Sequence, residues 1–236
     1  MTQSTDGRAA TGGPRTVPEL LLGRPPMARE LPSFDPYRAP AGPGQLFVDW
    51  LVDAVEAEVP DHQVVTLSTV DADGAPDARV LVLRDVDVAR CGWVFATADD
   101  SPKGRQLAAH PAAAMTLYWP LLGRQVRIRG EVEQARSEVA AAEFLTRSPG
   151  ARVAALVGRQ SEVLESPAVY EAAADVARRA LAQEPGTIAP GHAVYTLWAH
   201  EVEFWQGDAD RRHVRLRYVR SGDGRRDSWA RTMLWP

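Results

Sequence analysis

The chain has 236 residues, 45% of them hydrophobic, and a formal net charge of −4 from 27 Lys+Arg against 31 Asp+Glu. That length and apolar content suffice for one substantial core. The near balance of charge, with arginines scattered among acidic neighbours, excludes the clustered basic face that nucleic acid needs. The single cysteine, Cys91, excludes an intrachain disulfide and offers no metal cluster, so a reducing, cytoplasmic setting is expected.

The stretch 1–43 is rich in Pro, Gly and Arg and has no apolar run, so neither a signal peptide nor a membrane anchor is expected there. It reads as a flexible arm, its first fifteen residues disordered, ahead of one domain over 44–236. Phe47, Trp50, Leu51, Ala54 and Val55 recur at helical spacing and predict a helix from Gln45 to Val59, stopped by Pro60. Val64 to Val70 is β-rich, Asp71-Ala72-Asp73-Gly74 is a turn, and Arg79 to Arg84 completes a hairpin. A strand at Trp93–Thr97 leads to Ser101-Pro102-Lys103-Gly104, where an N-cap serine and a proline at the first helical position open a short helix to His110.

Strands follow at Ala113–Trp119 and Gln125–Glu133, then alanine-rich helices at Ser137–Thr146 and Pro167–Gln183. Ala193–Trp198, Glu201–Trp205 and Val214–Arg220 read as closing strands. Extending the last of these back with period two sets Arg211, His213, Arg215 and Arg217 on one face, against Val214, Leu216 and Tyr218. Such a face suits a phosphate or carboxylate, though it also reads as an ordinary solvated face. Many antiparallel strands without βαβ alternation point to a closed or partly closed barrel.

Five blocks occur in one order: Arg79-Val80-Leu81-Val82-Leu83, Ser101-Pro102-Lys103-Gly104, Arg124-Gln125-Val126, Arg159-Gln160-Ser161, and Glu203 to Gly207 with Arg211 to Arg215. Together they resemble the pyridoxamine 5'-phosphate oxidase family, over about 46–236. The resemblance implies a mainly β, FMN-binding split β-barrel of antiparallel Greek-key type with peripheral helices, working as a homodimer with FMN between the subunits. By this similarity Arg79 and Lys103 would bind the FMN phosphate, and Val80, Leu81, Val82, Ala96 and Thr97 would join the cofactor site. Gln125, Gln160 and Ser161 would meet flavin or phosphate edges, and Trp205 and Arg215 would come from the partner chain. Pro102 departs from the family, which commonly has a second basic residue there.

The family's substrate-phosphate ligands, a lysine, a tyrosine, an arginine and a serine, fall on Arg84, Glu143, Arg147 and Ala151; its ring-facing arginine and histidine fall on Arg211 and His213. Two phosphate contacts are thereby lost, and Glu143 would repel a phosphate dianion. Blocks such as Leu117-Tyr118-Trp119, Arg159-Gln160-Ser161-Glu162 and Arg215-Leu216-Arg217-Tyr218 look closer to the phenazine-biosynthesis branch. The implied activity is oxidation of a reduced, carboxylated, nitrogen-containing aromatic by FMN and O2, with Arg211 clamping the substrate and His213 hydrogen-bonding it or taking a proton. Pyridoxine or pyridoxamine 5'-phosphate oxidation remains the alternative. So do a split-barrel binder of another cofactor, such as a deazaflavin or haem, and a catalytically silent flavin-binding protein.

Overall fold

In the computed structural model, residues 16–23, 25–221 and 228–236 are described; the expected disorder of residues 1–15 falls outside them. Eight antiparallel strands are present among the described residues: β1 (Val64–Val70), β2 (Pro76–Asp87), β3 (Gly92–Ala98), β4 (Ala112–Trp119), β5 (Arg124–Gln134), β6 (His192–Gln206), β7 (Val214–Arg220) and β8 (Trp229–Leu234). They run in the order β3-β2-β1-β4-β5-β6-β7-β8, and a further β3–β6 pairing closes the first six into a barrel. The neighbour order β3-β2-β1-β4 is a Greek key, and closure leaves no free edge in the barrel proper.

Local sequence explains most of this. The β1–β2 hairpin pairs Val64 with Val82 through Val70 with Pro76, and Asp71 holds the turn by accepting from the Asp73 and Ala75 backbone N–H groups at 3.0 and 2.8 Å. Helix α2 (Pro43–Glu56) buries Phe47, Trp50 and Ala54. Its aromatics meet the barrel edge to face, Phe47 on Trp93 at 5.5 Å and Trp50 on Phe204 at 5.1 Å. Asp53, on the same helix, pairs at 2.5 Å with the buried Arg124, whose guanidinium also lies 4.5 Å from the Trp50 ring.

Two strands expected at Ala193–Trp198 and Glu201–Trp205 are one, the 15-residue β6. The pairing of β5 with β6 slips between Arg129/Gly130 and Glu201/Ala199, so His200 is the extra residue of a β-bulge. The bulge breaks the period-two pattern without ending the strand. Gly130 is required there, because a Cβ would come within 2.0 Å of the Trp198 carbonyl oxygen.

The other helices are α1 (Val17–Leu22), α3 (Pro102–Ala109), α4 (Ser137–Leu145), α5 (Pro149–Val157) and α6 (Pro167–Gln183). Neither α5 nor β8 was anticipated. Within the expected arm, Phe34 packs on Trp50 at 5.1 Å and Tyr218 donates to the Pro40 carbonyl at 2.8 Å. The segment around 34–40 is thus fastened to the core rather than hanging free of it. The expected four-base face of the last strand also needs correction. Strand β7 begins only at Val214, and Arg211, with φ of +67°, lies in the preceding loop. Arg215 and Arg217 stay on the strand; Arg211 and His213 do not.

Candidate active site

A cleft of about 720 Å³ opens where β2, β3, α3 and α5 meet. It collects Arg79, Val80, Leu81, Ala96, Thr97, Lys103, Gln160 and Ser161 from the expected cofactor set, and Arg147 and Ala151 from the expected substrate set. Val82, Gln125, Arg84 and Glu143 are not among its walls.

At one end stand two cations. Lys103 sits at the start of α3, which Ser101 caps by accepting the Gly104 N–H at 3.2 Å while donating to the Ala98 carbonyl at 2.6 Å. Gly104 lets the helix begin against β3, since a Cβ would meet the Asp99 carbonyl at 2.2 Å. Lys103 is buried, and its Nζ donates to Gln160 Oε1 at 2.9 Å and Ser101 Oγ at 3.4 Å, with no carboxylate in pairing distance among the described residues. Burial, and then the nearby Arg79 charge, hold its pKa below the ordinary lysine value, with Asp77 pulling the other way. Arg79 is anchored to Thr69 Oγ1 at 2.5 Å and Gln106 Oε1 at 3.1 Å and pairs with the half-exposed Asp77.

Gln160 reaches Lys103 from an unusual loop in which Gly158, Arg159 and Ser161 all have positive φ, of 63°, 56° and 71°. For the two non-glycines this costs stability and marks a segment held in place by its surroundings. A buried, incompletely paired lysine beside an arginine, at a helix N-terminus whose amides favour anions, fits the phosphate of a mononucleotide.

Behind the other end, Glu143 of α4 holds two of the wall residues, Arg147 and His192. Its carboxylate accepts from Arg84 Nε at 3.0 Å, from Arg147 Nε at 3.1 and 3.3 Å, and from His192 Nε2 at 2.6 Å. Arg84 is the bulged residue of β2, where pairing with β3 slips between Leu83 and Asp85. Burial works against the ionised form of Glu143, but the Arg147 charge and the His192 and Arg147 hydrogen bonds outweigh it, leaving the carboxyl below its usual range. Burial lowers the His192 pKa, the Arg147 and Arg84 charges add to that, and the Glu143 contacts oppose it. A neutral imidazole donating through Nε2 to an ionised carboxylate follows. Glu143, expected to stand as a repulsive group in an anion site, therefore has three internal partners. Arg84 and Arg147, expected as anion ligands, share it.

Gln125, Trp205, Arg215 and His213 form a second cluster, none of them among the walls of this cleft. Gln125 stands opposite Trp205 and Trp205 opposite Arg215 in the sheet register. Arg215 donates to the buried Glu203 and to the Trp235 carbonyl, at 2.8 and 3.0 Å. The His213 ring lies 4.7 Å from Trp205, and its Nδ1 accepts the Asp208 backbone N–H at 3.1 Å. A neutral His213 in that arrangement carries its proton on Nε2 and donates rather than accepts.

Residues 51–181 match the family described as Pyridoxamine 5'-phosphate oxidase, and residues 192–236 match the Pyridoxine 5'-phosphate oxidase C-terminal dimerisation region. The chain belongs to the pyridoxamine 5'-phosphate oxidase family. It is 44% identical to the pyridoxine/pyridoxamine 5'-phosphate oxidase of Pseudomonas paraeruginosa over 84% of this chain and 90% of that one. Against the enzyme of that name from Thermosynechococcus vestitus it is 43% identical over 82% and 89% of the two chains. The crystal structure of PhzG from Burkholderia lata 383, in complex with tetrahydrophenazine-1-carboxylic acid, superposes with a TM-score of 0.78 at 28% identity, over 87% of this chain and 99% of that one. An FMN binding protein from Nostoc punctiforme shares the fold, at TM-score 0.66 and 19% identity over 86% and 99% of the two chains. Like the family, this oxidase is FMN-dependent.

His192, Gln106 and Asp77 escaped the sequence reading. Each is brought to the cleft or its edge by a contact across many residues, such as His192 to Glu143 over 49 positions. No helix among the described residues is long and apolar enough to cross a membrane.

Proposed function

We propose that this family member is a cytoplasmic, homodimeric FMN oxidase of a reduced, nitrogen-containing, carboxylated aromatic of the phenazine-precursor kind, acting in specialised metabolism. The observation that carries the reading is the placement of Glu143 among Arg84, Arg147 and His192. Glu143 offsets one of the two guanidinium charges of Arg84 and Arg147 and occupies a donor of each, so the cluster keeps a net charge of about +1, which matches a monoanionic carboxylate better than a phosphate dianion. Ala151 supplies no hydroxyl to compensate.

Bound FMN supplies the two-electron acceptor and its reoxidation by O2 to hydrogen peroxide. The chain's own residues bind and orient. Arg79 and Lys103 neutralise the cofactor phosphate, with Thr97, Gln160 and Ser161 beside them. Trp205 and Arg215, with Gln125 next to them in the sheet, serve the cleft of the partner. Arg211 clamps the substrate's polar end and His213 donates to it through Nε2. Arg147 orients a carboxylate from the Glu143 side, and Ala151 leaves room there.

The second reading, pyridoxine or pyridoxamine 5'-phosphate oxidation, is favoured by relatives of that name at 43–44% identity. Anaerobic bleaching of the bound flavin tests the choice. Reduction by a dihydrophenazine carboxylate at a rate well above that by pyridoxine 5'-phosphate is expected, and the reverse order would favour the vitamin B6 reaction. Mixing Arg79→Ala with Arg215→Ala chains should restore about a quarter of the sites if each site draws on both subunits.

A further inference from the structure

The Glu143 end of the cleft holds one group with unused hydrogen-bonding capacity. The carboxylate is saturated: Oε1 accepts from Arg84 and Arg147, and Oε2 from Arg147 and His192. Arginines only donate. The acceptor left in the cluster is the second ring nitrogen of His192. With Nε2–H committed to Glu143 at 2.6 Å, Nδ1 carries the lone pair, and no hydrogen bond to Nδ1 occurs among the described residues. The ring is fixed on its other flank by the edge of Phe144, with centroids 5.0 Å apart. Its strand holds it as well: His192 opens β6 opposite Ala98. The side chain is only 2% exposed, yet the residue lines the cleft beside Arg147 and Ala151.

We propose that His192, held by Glu143, is a substrate-contacting residue that accepts a hydrogen bond from an N–H adjacent to the substrate carboxylate, while Arg147 takes the carboxylate itself. This rests on the carboxylated-substrate reading above and deepens it. A cation beside a fixed neutral acceptor is complementary to an anion beside a donor. A fully ionised phosphate has no donor and places its lone pairs against that of Nδ1. A site built to accept an N–H rejects the analogue lacking one, because the buried acceptor is then left unpaired.

An isosteric pair of probes separates the two contributions: indole-7-carboxylate and benzofuran-7-carboxylate have the same shape and charge and differ in the N–H. Binding to the FMN-loaded enzyme is read from the change in flavin absorbance on titration. The indole acid should bind about tenfold more tightly than the benzofuran acid. In His192→Phe the ratio should fall to about one with flavin content unchanged. In His192→Asn, whose amide oxygen can replace Nδ1, part of the preference should return. Equal binding of the two acids to the unaltered enzyme, or a preference surviving in His192→Phe, overturns the assignment and leaves the oxidase reading standing. Binding of neither acid overturns both this assignment and the carboxylated-substrate reading. If His192→Phe does not fold, the ratio in the unaltered enzyme and in His192→Leu decides by the same outcomes.

Discussion

The two ends of the cleft use the same residue types and reach opposite electrostatic results. At the β3–α3 end, Lys103 is buried with only neutral oxygens for partners, and the carboxylate nearby, Asp77, serves Arg79 from a half-exposed position. At the α4 end, a mostly buried carboxylate sits between two arginines and a histidine. The first arrangement leaves a cation whose burial is compensated when an anion arrives; the second arrives at compensation within the chain. A count of basic residues cannot distinguish them. What differs is where the acid stands, and that leaves the positive charge unpaired at the first end and offset at the second.

The largest expected effect comes from dismantling the first end. Arg79→Ala with Lys103→Ala should give colourless protein, with FMN affinity lowered more than about 100-fold, since each charge-assisted contact is worth about 1.5–3 kcal/mol. Stoichiometric flavin absorbance in that double variant would remove the basis of the comparison.

Next is conversion of the second end. Glu143→Tyr with Ala151→Ser removes the internal carboxylate and restores a hydroxyl, freeing Arg84 and Arg147. The kcat/KM for pyridoxine 5'-phosphate should rise about tenfold or more, corresponding to about 1.4 kcal/mol, because both guanidinium groups can then donate to the phosphate. An unchanged or lower value would show that Glu143 does not govern the choice of anion.

A smaller effect separates the lysine from its neutral support. Gln160→Leu takes the acceptor at 2.9 Å from Lys103 and should weaken FMN binding several-fold without abolishing it, about 1 kcal/mol for one hydrogen bond. Flavin titration of the apoprotein measures it.

The smallest is a pH dependence whose upper stage belongs to the second end. His192 has a folded pKa below its ordinary value of 6.5, so the unfolded chain takes up its proton first as pH falls, and stability declines from about that pH downward. Glu143, lowered from 4.5, contributes stability that is present above that value and lost as pH falls through its folded pKa. Thermal unfolding midpoints measured from pH 8 to pH 4 should fall in two stages. His192→Phe should remove the upper stage and shrink the lower, because the His192 hydrogen bond helps to hold the Glu143 carboxyl down.

Much of the barrel was legible because its elements carry local signals. β-rich composition marked β1, the Ser101-Pro102 pair marked α3, and helical spacing marked α2. The misses are equally specific. Strand β8 is mostly exposed and shows no alternation, so only its pairing with β7 defines it. Helix α5 did carry a signal, Ser148 as N-cap before Pro149, but it is short and has no fully buried residue. The bulge at His200 looked like a strand boundary because one added residue shifts the period.

Taken alone, the amino-acid order determined the antiparallel barrel, the helix that seats Lys103, and which residue types stand where the family keeps its FMN and substrate ligands, since these follow from periodicity, capping and the order of short blocks. Only the tertiary structure decided that Glu143 is a partner to Arg84, Arg147 and His192, that His192 belongs to the cleft, and that Gln125 stands with Trp205 away from it. Those facts depend on contacts between strands and helices far apart in the chain. Whether a charge is free or already neutralised is a property of the distance between side chains, which residue order does not encode locally.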